Sequence, residues 1–222
     1  MPVLIEPKSL NQKRTVQGAR TRALILDAAV KLASVDGLES LTIGQLATQL
    51  KMSKSGLFAH FQSKEDLQLS AVQHAYVAFR KEVVDKAEAR PQGIERLIGL
   101  CRNWMHYGEA GCFFVNASAQ YEAREGPVRD AIVGVMDDWR QTIKAILIEC
   151  KEVDHIASGA DVDQLVFELV TLFTGSHIIY HLHRDRRIGI RLKSAVLSRI
   201  SQVAGAKLEP AKLKWFHSGE SI

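Results

Sequence analysis

Apolar residues recur at helical spacing along nearly the whole chain. Ile25, Ala28, Ala29 and Leu32 fall on one helical face, and the segment 43–50 repeats the same spacing over a shorter length. The pattern predicts helices at residues 20–36, 43–50, 54–60, 64–88, 94–108, 112–122, 127–152, 161–184 and 189–204. Short alternating runs of β-branched residues, which are typical of strands, do not occur in the sequence. The predicted fold is therefore all-α.

Polar residues and one glycine mark where the early helices begin and end. Thr42 and Gln45 have the spacing of a capping box at the start of the second predicted helix. Ser53 and Ser63 are of the residue type preferred at helix N-caps, and each precedes a predicted helix. Gly37 tolerates the left-handed backbone that commonly ends a helix. Short helices with defined ends are therefore predicted between residues 42 and 64.

Composition places the chain among ordinary globular proteins. Its 222 residues are 46% hydrophobic and 24% charged, which excludes disorder as the main state and is enough for a sizeable core. No uninterrupted apolar run approaches the ~18 residues that span a bilayer, and the first residues lack the pattern of an export signal. We therefore expect a soluble cytoplasmic protein with no membrane partner.

Positive charge is concentrated in the first third of the chain. Residues 1–22 hold five basic side chains, among them Lys8, Lys13 and Arg14, against one acidic residue. Residues 40–64 hold three lysines and no acidic residue. Because the remainder is nearly neutral, this asymmetry favours a polyanion as the partner of the first third.

Cysteine and histidine give little support for redox or metal chemistry. Cys101, Cys112 and Cys150 form no CxxC pair, and their odd number makes no disulfide framework, so they are predicted to be apolar fillers. His177 and His181 are four residues apart, but no clear third ligand is near them. We predict no metal site, and in the absence of a hydrolase, zinc-protease or nucleotide-binding motif we also predict no cofactor and no catalytic residue.

The segments 43–50 and 54–60, joined by the turn Lys51-Met52, form a predicted helix-turn-helix. In this motif the second helix lies in the DNA major groove and presents its N-terminal residues to the base edges. Leu57 and Phe61 are predicted to face inward because they are four residues apart. The residues predicted to face outward are Lys54, Ser55, Phe58, Ala59 and His60.

From about Ala19 to Leu69 the sequence resembles the DNA-binding domain of the TetR (tetracycline-repressor-like) family of bacterial regulators. The resemblance is carried by the strings ALILDAAVKLASVDGLESLTIGQLATQL and KMSKSGLFAHFQSKEDL. It implies four regions, which are a basic flexible leader at 1–18, a helix-turn-helix DNA-binding domain at 19–66, a helical effector-binding and dimerisation domain at 67–206, and a C-terminal tail at 207–222.

The resemblance also implies which residues touch DNA. They are Thr42, Ser53, Lys54, Ser55, Gly56, Phe58, Ala59, His60 and Lys64. Thr42 and Lys64 correspond to phosphate-contacting positions, whereas Ser53 to Gly56 form the base-facing start of the recognition helix. Two positions depart from the family pattern. Phe58 replaces a more usual tyrosine and loses its hydroxyl, and Lys51 stands where glycine is common in the turn.

In the second half, the resemblance implies a ligand pocket and a dimer. The residues expected to line the pocket are Trp104, His106, Phe113, Phe114, Asn116, Trp139, Phe167, Thr171 and Tyr180. The helices near 161–184 and 189–204 are expected to pair with their copies in a second protomer. The apolar residues expected in that seam are Val166, Leu169, Val170, Phe173, Ile178, Val196, Leu197 and Ile200.

The interpretation that best fits these observations is a homodimeric transcriptional regulator, a repressor, which binds a palindromic operator in double-stranded DNA. A small-molecule effector, which the sequence does not identify, changes its affinity for that operator. Two alternatives stay open at this stage: an effector-independent helical DNA-binding or interaction protein, and a metal-dependent helical enzyme. A roomy apolar cavity in the second domain would count against the first alternative, whereas a bound metal with turnover would be needed for the second.

Overall fold

The chain folds into helices packed around one continuous core. The computed structural model describes residues 8–108 and 111–217. Its α-helices are α1 (Lys8–Asp36), α2 (Ile43–Leu50), α3 (Lys54–Phe58), α4 (Lys64–Phe79), α5 (Lys86–Glu88), α6 (Ile94–Tyr107), α7 (Phe113–Tyr121), α8 (Pro127–Glu152), α9 (Val162–His183), α10 (Arg187–Gln202) and α11 (Lys214–His217). Over these described ranges, β-structure amounts to an isolated bridge between Ile156 and Ala204. The all-α prediction is confirmed.

The predicted caps of the early helices are confirmed at atomic detail. The Thr42 hydroxyl accepts a hydrogen bond from the Gln45 amide at 3.2 Å, and the Gln45 side chain accepts one from the Thr42 amide at 3.2 Å. Ser53 caps α3 by accepting from the Gly56 amide, and Ser63 caps α4 by accepting from the Asp66 amide. These bonds satisfy backbone donors that the first turn of a helix leaves without partners.

The helix α1 starts earlier than predicted. It begins at Lys8, so residues 8–18 continue a helix where the sequence predicted a flexible leader. The reason is local, because no proline and no glycine lies between residues 8 and 17 to interrupt a helix. Residues 1–7, and the side chains of Lys8, Lys13 and Arg14, lie outside the described part of the structure.

The helix α4 connects the helix-turn-helix to the rest of the protein. It packs against both α1 and α8, and it continues through a π-helical segment at Arg80–Asp85 into α5. The predicted single helix at 64–88 is therefore continuous but contains a π-helical segment. One cluster of buried apolar side chains extends from Ile25 in α1 to Ile200 in α10, so both predicted domains share a core.

The C-terminal segment is folded where the sequence predicted a tail from residue 207. Residues Pro210–Leu213 form a 3₁₀ turn that leads into α11, and both Leu213 and Phe216 are buried. Lys212 forms an ion pair with Glu95 at the start of α6, with 3.1 Å between Nζ and Oε1. Two apolar anchors and one ion pair are enough to hold this short segment against the core.

Contrary to expectation, α9 is long and apolar enough to cross a membrane by length and composition alone. Only 22% of its apolar window is buried. One face of α9 contributes Leu165, Leu169 and Phe173 to the core. Apolar residues lie both on this core face of α9 and on its exposed face. The sequence pattern does not distinguish the two faces, and together they make the whole helix apolar.

Candidate nucleic-acid interface and interior cavity

The turn between α2 and α3 forms with a lysine in a left-handed conformation. Lys51 has φ 53° and ψ 38°, and its amide donates to the Thr48 carbonyl at 3.3 Å. The next amide, of Met52, donates to the Ala47 carbonyl at 2.9 Å. Lysine at the usual glycine position therefore supports the tight turn, although a left-handed backbone costs a residue with a side chain about 1–2 kcal/mol.

The recognition helix α3 divides into an inward and an outward face as predicted. Leu57 and, just beyond the helix, Phe61 are both 0% exposed. The exposed residues are Ser53, Lys54, Ser55, Phe58 and Ala59, whereas Gly56 and His60 are half-buried. Phe58 is 55% exposed, so a large apolar ring lies on the surface of the helix. A buried pair thus fixes the helix and directs a surface of small, polar and aromatic side chains to solvent.

Thr42 and Ser53, which are predicted to touch DNA, cap helices through hydrogen bonds within the protein. The Thr42 hydroxyl, besides accepting from Gln45, donates to the Gln45 side chain at 3.0 Å. The Ser53 hydroxyl caps α3 and lies 3.1 Å from the Ser55 hydroxyl. Both side chains are exposed and rigidly placed by their caps, which positions their remaining hydrogen-bonding capacity at the surface.

Lys64, at the start of α4, forms an ion pair that the sequence did not predict. Its Nζ lies 2.9 Å from Oε1 of Glu39, in the turn that follows α1, and the Lys64 side chain remains 44% exposed. This hydrogen bond lowers the pKa of the Glu39 carboxyl below its usual value. The other carboxyl oxygen of Glu39 accepts from the Tyr121 hydroxyl at 2.9 Å, and Tyr121 belongs to α7. Nothing in the sequence around Glu39 indicates that its carboxylate binds Lys64 and Tyr121, because those residues are distant along the chain.

An interior cavity of about 40 Å³ lies between α6, α7, α9 and α10. Its lining residues are Trp104, Met105, Gly108, Cys112, Val115, Phe173, Ser176, His177, Tyr180 and Leu192. The rings of Trp104 and Phe173 are stacked with 4.2 Å between centroids and 2° between planes. None of these described lining residues is Lys, Arg, Asp or Glu. The volume has room for about three water molecules, so a larger ligand has to move the side chains around it.

The structure places only part of the predicted pocket at this cavity. Trp104 and Tyr180 line it. The other predicted aromatic residues of the interior are buried in the core beside it, namely Phe113, Phe114 and Trp139. The Trp139 and Trp104 rings form a T-shaped contact with 4.6 Å between centroids, so Trp139 contacts a residue of the cavity wall.

Four predicted pocket residues lie elsewhere. Phe167 is 64% exposed and Thr171 is exposed, because both lie on the outer face of α9. His106 is also exposed, and its ring bonds the Arg102 carbonyl of its own helix at 2.8 Å. Asn116 donates to the Ser34 carbonyl at the end of α1 at 2.8 Å, so it joins α7 to α1. The sequence missed the helical phase of α9 and the contact between α7 and α1.

Two of the histidines of α9, His177 and His181, form hydrogen bonds with backbone groups. His177 Nε2 accepts from the Cys112 amide at 3.2 Å, and burial, together with the nearby His181, lowers the pKa of His177 to about 4. His181 Nε2 donates to the Gly108 carbonyl at 2.9 Å. Over residues 8–108 and 111–217, no three His, Cys, Asp or Glu side chains converge on a candidate metal position.

The three cysteines are buried as predicted. Cys101, Cys112 and Cys150 are all free thiols in the core. Burial raises the pKa of Cys101 and of Cys150 to about 12, and it also raises the pKa of Cys112. Thiols held in the protonated form are poor nucleophiles, so these cysteines act as small apolar side chains.

The exposed face of α9 continues onto α10 as an apolar patch. Its members are Phe167, Ile178, Ile179, Leu182 and Ile190, which are between 46% and 74% exposed. Of the residues predicted for the dimer seam, Ile178 is in this patch. Five others are buried within the protomer instead, namely Val166, Leu169, Phe173, Val196 and Ile200. The predicted seam therefore consists mainly of residues that face the core of their own protomer.

Two family models match the sequence. "Bacterial regulatory proteins, tetR family" matches residues 25–71, which include the helix-turn-helix. "Tetracyclin repressor-like, C-terminal domain" matches residues 93–196, which include the cavity and the whole apolar patch. An HTH-type transcriptional repressor of Pseudomonas putida, NicS, is 38% identical over 68 residues. That alignment spans 31% of this chain and 32% of the repressor's own length, so it concerns about a third of each protein.

Solved structures share the fold over most of its length. A TetR-family regulator from Streptomyces coelicolor has a TM-score of 0.72 and 21% identity, over 90% of this chain and 96% of its own. A TetR regulator from Chloroflexus aurantiacus has a TM-score of 0.78 and 21% identity, over 85% of this chain and 98% of its own. A transcriptional regulator from Saccharomonospora viridis, solved in complex with choline, has a TM-score of 0.70 and 21% identity, over 85% and 100%. At this identity the likeness is one of fold.

Proposed function

The chain belongs to the tetR family of bacterial regulatory proteins, and from that premise we propose that it is a homodimeric repressor whose operator affinity is changed by a small effector. The observation that carries the proposal is the outward face of α3, where small, polar and aromatic side chains lie exposed above a buried Leu57 and Phe61. We assign DNA binding to residues 19–66 and effector binding and dimerisation to 67–206.

In the proposed complex, α3 lies in the major groove. Ser53, Lys54, Ser55 and Gly56 meet the base edges, and Lys54 donates to guanine acceptors in this proposal. The exposed ring of Phe58 makes apolar contact, for example with a thymine methyl group, since it has no hydroxyl for a phosphate.

The remaining proposed contacts lie at the edges of the recognition surface. Thr42 at the start of α2 and Lys64 at the start of α4 bind phosphates on either side of the groove. Ala59 allows close approach of the helix to the duplex, and His60 contacts the sugar-phosphate backbone of the DNA in this proposal.

The apolar patch on α9 and α10 supports the proposed dimer. A second copy of the chain that packs on this patch would remove Phe167, Ile178, Leu182 and their neighbours from water, with a gain of about 25 cal/mol for each Å² of apolar surface buried. The patch also accounts for the apolar composition of α9 without a membrane. Two protomers related by a two-fold axis present identical recognition helices, so the proposed operator is palindromic.

The interior cavity is the proposed effector site. Its lining is aromatic and aliphatic with a few polar groups, the composition that is usual for small-molecule sites. The regulator from Saccharomonospora viridis was solved with choline. The aromatic lining residues Trp104, Phe173 and Tyr180 here suit either an apolar group or a quaternary ammonium. Because an effector larger than about three waters has to widen the cavity, it favours a different conformation and shifts the DNA-binding equilibrium by about 1–3 kcal/mol.

Selection of bound sequences from a random pool of duplex DNA tests the proposal. We expect inverted half-sites about one helical turn apart, and a protein-to-DNA ratio of two chains for each operator. Lys54→Ala should relax the preference at one position in each half-site and cost roughly 1–3 kcal/mol. Lys64→Ala should weaken binding to all DNA sequences alike, and it should lower the slope of log affinity against log salt concentration by about 0.9. Recovery of an asymmetric site bound by one chain would refute the proposed dimer.

The cavity of about 40 Å³ is not roomy, so it does not count against the first alternative, an effector-independent DNA-binding protein. For an enzyme, the candidate pair was His177 and His181, and both bond backbone groups. Family members generally act as DNA-binding regulators rather than enzymes, and we propose the same for this chain.

A further inference from the structure

Glu39 lies where the DNA-binding domain meets α7. It belongs to the 3₁₀ turn Leu38–Ser40 between α1 and α2. One carboxyl oxygen accepts from Lys64 at 2.9 Å. The other accepts from the Tyr121 hydroxyl at 2.9 Å and lies 3.3 Å from the Arg124 guanidinium. Gln68 of α4 also donates to this second oxygen, at 3.4 Å.

Three of the groups around Glu39 come from the end of α7 and the turn that follows it. Besides Tyr121 and Arg124, the Gln120 side chain accepts from the Glu39 amide at 3.2 Å. Arg124 stacks over the Tyr121 ring, with 5.3 Å from the guanidinium carbon to the ring centroid. The end of α7 therefore holds both the backbone and the carboxylate of Glu39.

The other end of α7 begins at the interior cavity. The Cys112 amide, at the N-cap of α7, donates to His177 in the cavity wall, and Val115 lines the cavity one turn later. In the middle, Asn116 fastens α7 to the end of α1. From Cys112 to Tyr121 the helix spans about 14 Å at 1.5 Å for each residue. One short helix thus joins the cavity wall to the partners of Lys64.

We propose that Glu39 is a positioning residue which competes with DNA phosphate for Lys64 and makes that competition depend on the placement of α7. Glu39 divides its charge between Lys64 on one side and, on the other, Tyr121 of α7 and Arg124 of the turn after α7, which are called the α7 groups below. When the α7 groups are close, they neutralise part of the carboxylate, and Lys64 is released more readily to a phosphate. When α7 moves away, Lys64 becomes the principal cationic partner of Glu39 and is held more firmly.

The sign of the regulation follows from this competition. A ligand that widens the cavity and displaces α7 strengthens the ion pair of Glu39 with Lys64, and it therefore weakens DNA binding. This inference rests on the proposed function, because it requires Lys64 to contact DNA. It adds a specific route through α7 and names the residue at which that route reaches the DNA-binding surface.

The first test compares two substitutions that remove the same charge. Glu39→Gln keeps the shape and an acceptor for Tyr121 but no longer attracts Lys64. Glu65→Gln removes an exposed carboxylate one residue from Lys64 and serves as the control for general repulsion of DNA. Affinity is measured by fluorescence anisotropy with the selected operator and with a scrambled duplex. We expect Glu39→Gln to bind both duplexes roughly two- to fivefold more tightly than Glu65→Gln does, the range for an exposed ion pair.

The second test changes the α7 side and predicts the opposite sign. Tyr121→Phe removes only the hydroxyl that donates to Glu39, and Arg124→Met removes an exposed guanidinium that pairs with it. Both should weaken binding to both duplexes by roughly twofold, because Lys64 is then held more firmly. In a Lys64→Ala background, the effects of Tyr121→Phe and Arg124→Met should disappear, and Glu39→Gln should behave as Glu65→Gln does.

The outcomes separate the inference from the function on which it rests. If the unmodified protein binds no duplex in the selection, the proposed function and this inference both fail. If it binds but Glu39→Gln matches Glu65→Gln, the inference alone is refuted. It is also refuted if the gain from Glu39→Gln survives in the Lys64→Ala background. Melting curves of each variant establish that it is folded, and should Glu39→Gln or Tyr121→Phe not fold, the exposed Arg124→Met supplies the decisive comparison.

Discussion

The titration of His177 should make the stability of this protein sensitive to mild acid. The ring is partly buried beside the stacked Trp104 and Phe173, and its Nε2 accepts a hydrogen bond from the Cys112 amide. Protonation of His177 would place a positive charge in this apolar wall and would turn its Nε2 from a hydrogen-bond acceptor into a donor. The ring centroid of a second histidine, His181, is only 4.3 Å away. The folded protein therefore favours neutral His177.

The magnitude follows from the difference in pKa between the folded and unfolded states. Burial and the neighbouring His181 lower the pKa of His177 to about 4, against about 6.5 in an unfolded chain. Because the folded pKa is the lower one, the unfolded state binds more protons, and stability falls as the pH drops from 6.5 towards 4. The free energy of unfolding should lose about 2 kcal/mol at pH 5 and about 3 kcal/mol once both states are titrated.

Urea unfolding at pH 7.5 and at pH 5, followed by tryptophan fluorescence at one protein concentration, measures this loss. His177→Gln retains an acceptor for the Cys112 amide but does not titrate, and His183→Gln changes an exposed histidine of the same helix as the control. We expect the wild type and His183→Gln to lose about 2 kcal/mol more than His177→Gln does between the two pH values. An equal loss in all three proteins would refute the argument, because it would assign the acid sensitivity to other groups such as His155.

Three further substitutions test local features of the fold. Lys51→Gly should stabilise the protein by about 0.5–1 kcal/mol in urea unfolding, because glycine adopts the left-handed turn without steric cost. Ser63→Ala should cost about 1 kcal/mol through the lost cap of α4, whereas Ser201→Ala, which removes an exposed hydroxyl from the last turn of α10, should cost much less. Leu182→Glu should yield monomers in sedimentation and weaken operator binding, whereas Val35→Glu, which alters an equally exposed residue of α1, should leave the dimer intact.

Helix boundaries could be predicted from the sequence where the chain carries its own start and stop signals. The predicted ranges for α2 and α8 match the structure to the residue, because a capping box starts the first and Pro127 after Gly126 starts the second. The start of α1 was missed because no cap residue marks it. The turn and helix at 210–217 were missed because their stability comes from contacts with α6 and the core rather than from local pattern.

The candidate sites were predictable only in part. The outward face of α3 follows from two buried positions four residues apart, so local spacing was sufficient. The cavity required the helical phase of α9, and that helix is apolar on two faces, so periodicity could not distinguish Phe173, which lines the cavity, from Phe167, which is exposed. The role of Glu39 depends on three segments, at residues 39, 64 and 121, that meet only in the folded chain.

The two apolar faces of α9 also connect the proposed effector site to the proposed dimer. Phe173, Ser176 and His177 line the cavity on one face, while Ile178 and Leu182 are exposed on the other. A ligand that widens the cavity therefore presses on the helix that carries the proposed dimer contact. Because two recognition helices read an operator only at a separation of about 34–36 Å, even a small shift of this helix changes how well both half-sites are bound at once. In the proposed dimer, a change in the separation of the recognition helices affects both half-sites together, whereas the competition of Glu39 for Lys64 acts within each protomer. An operator cut to a single half-site should therefore respond to the effector only through the competition for Lys64.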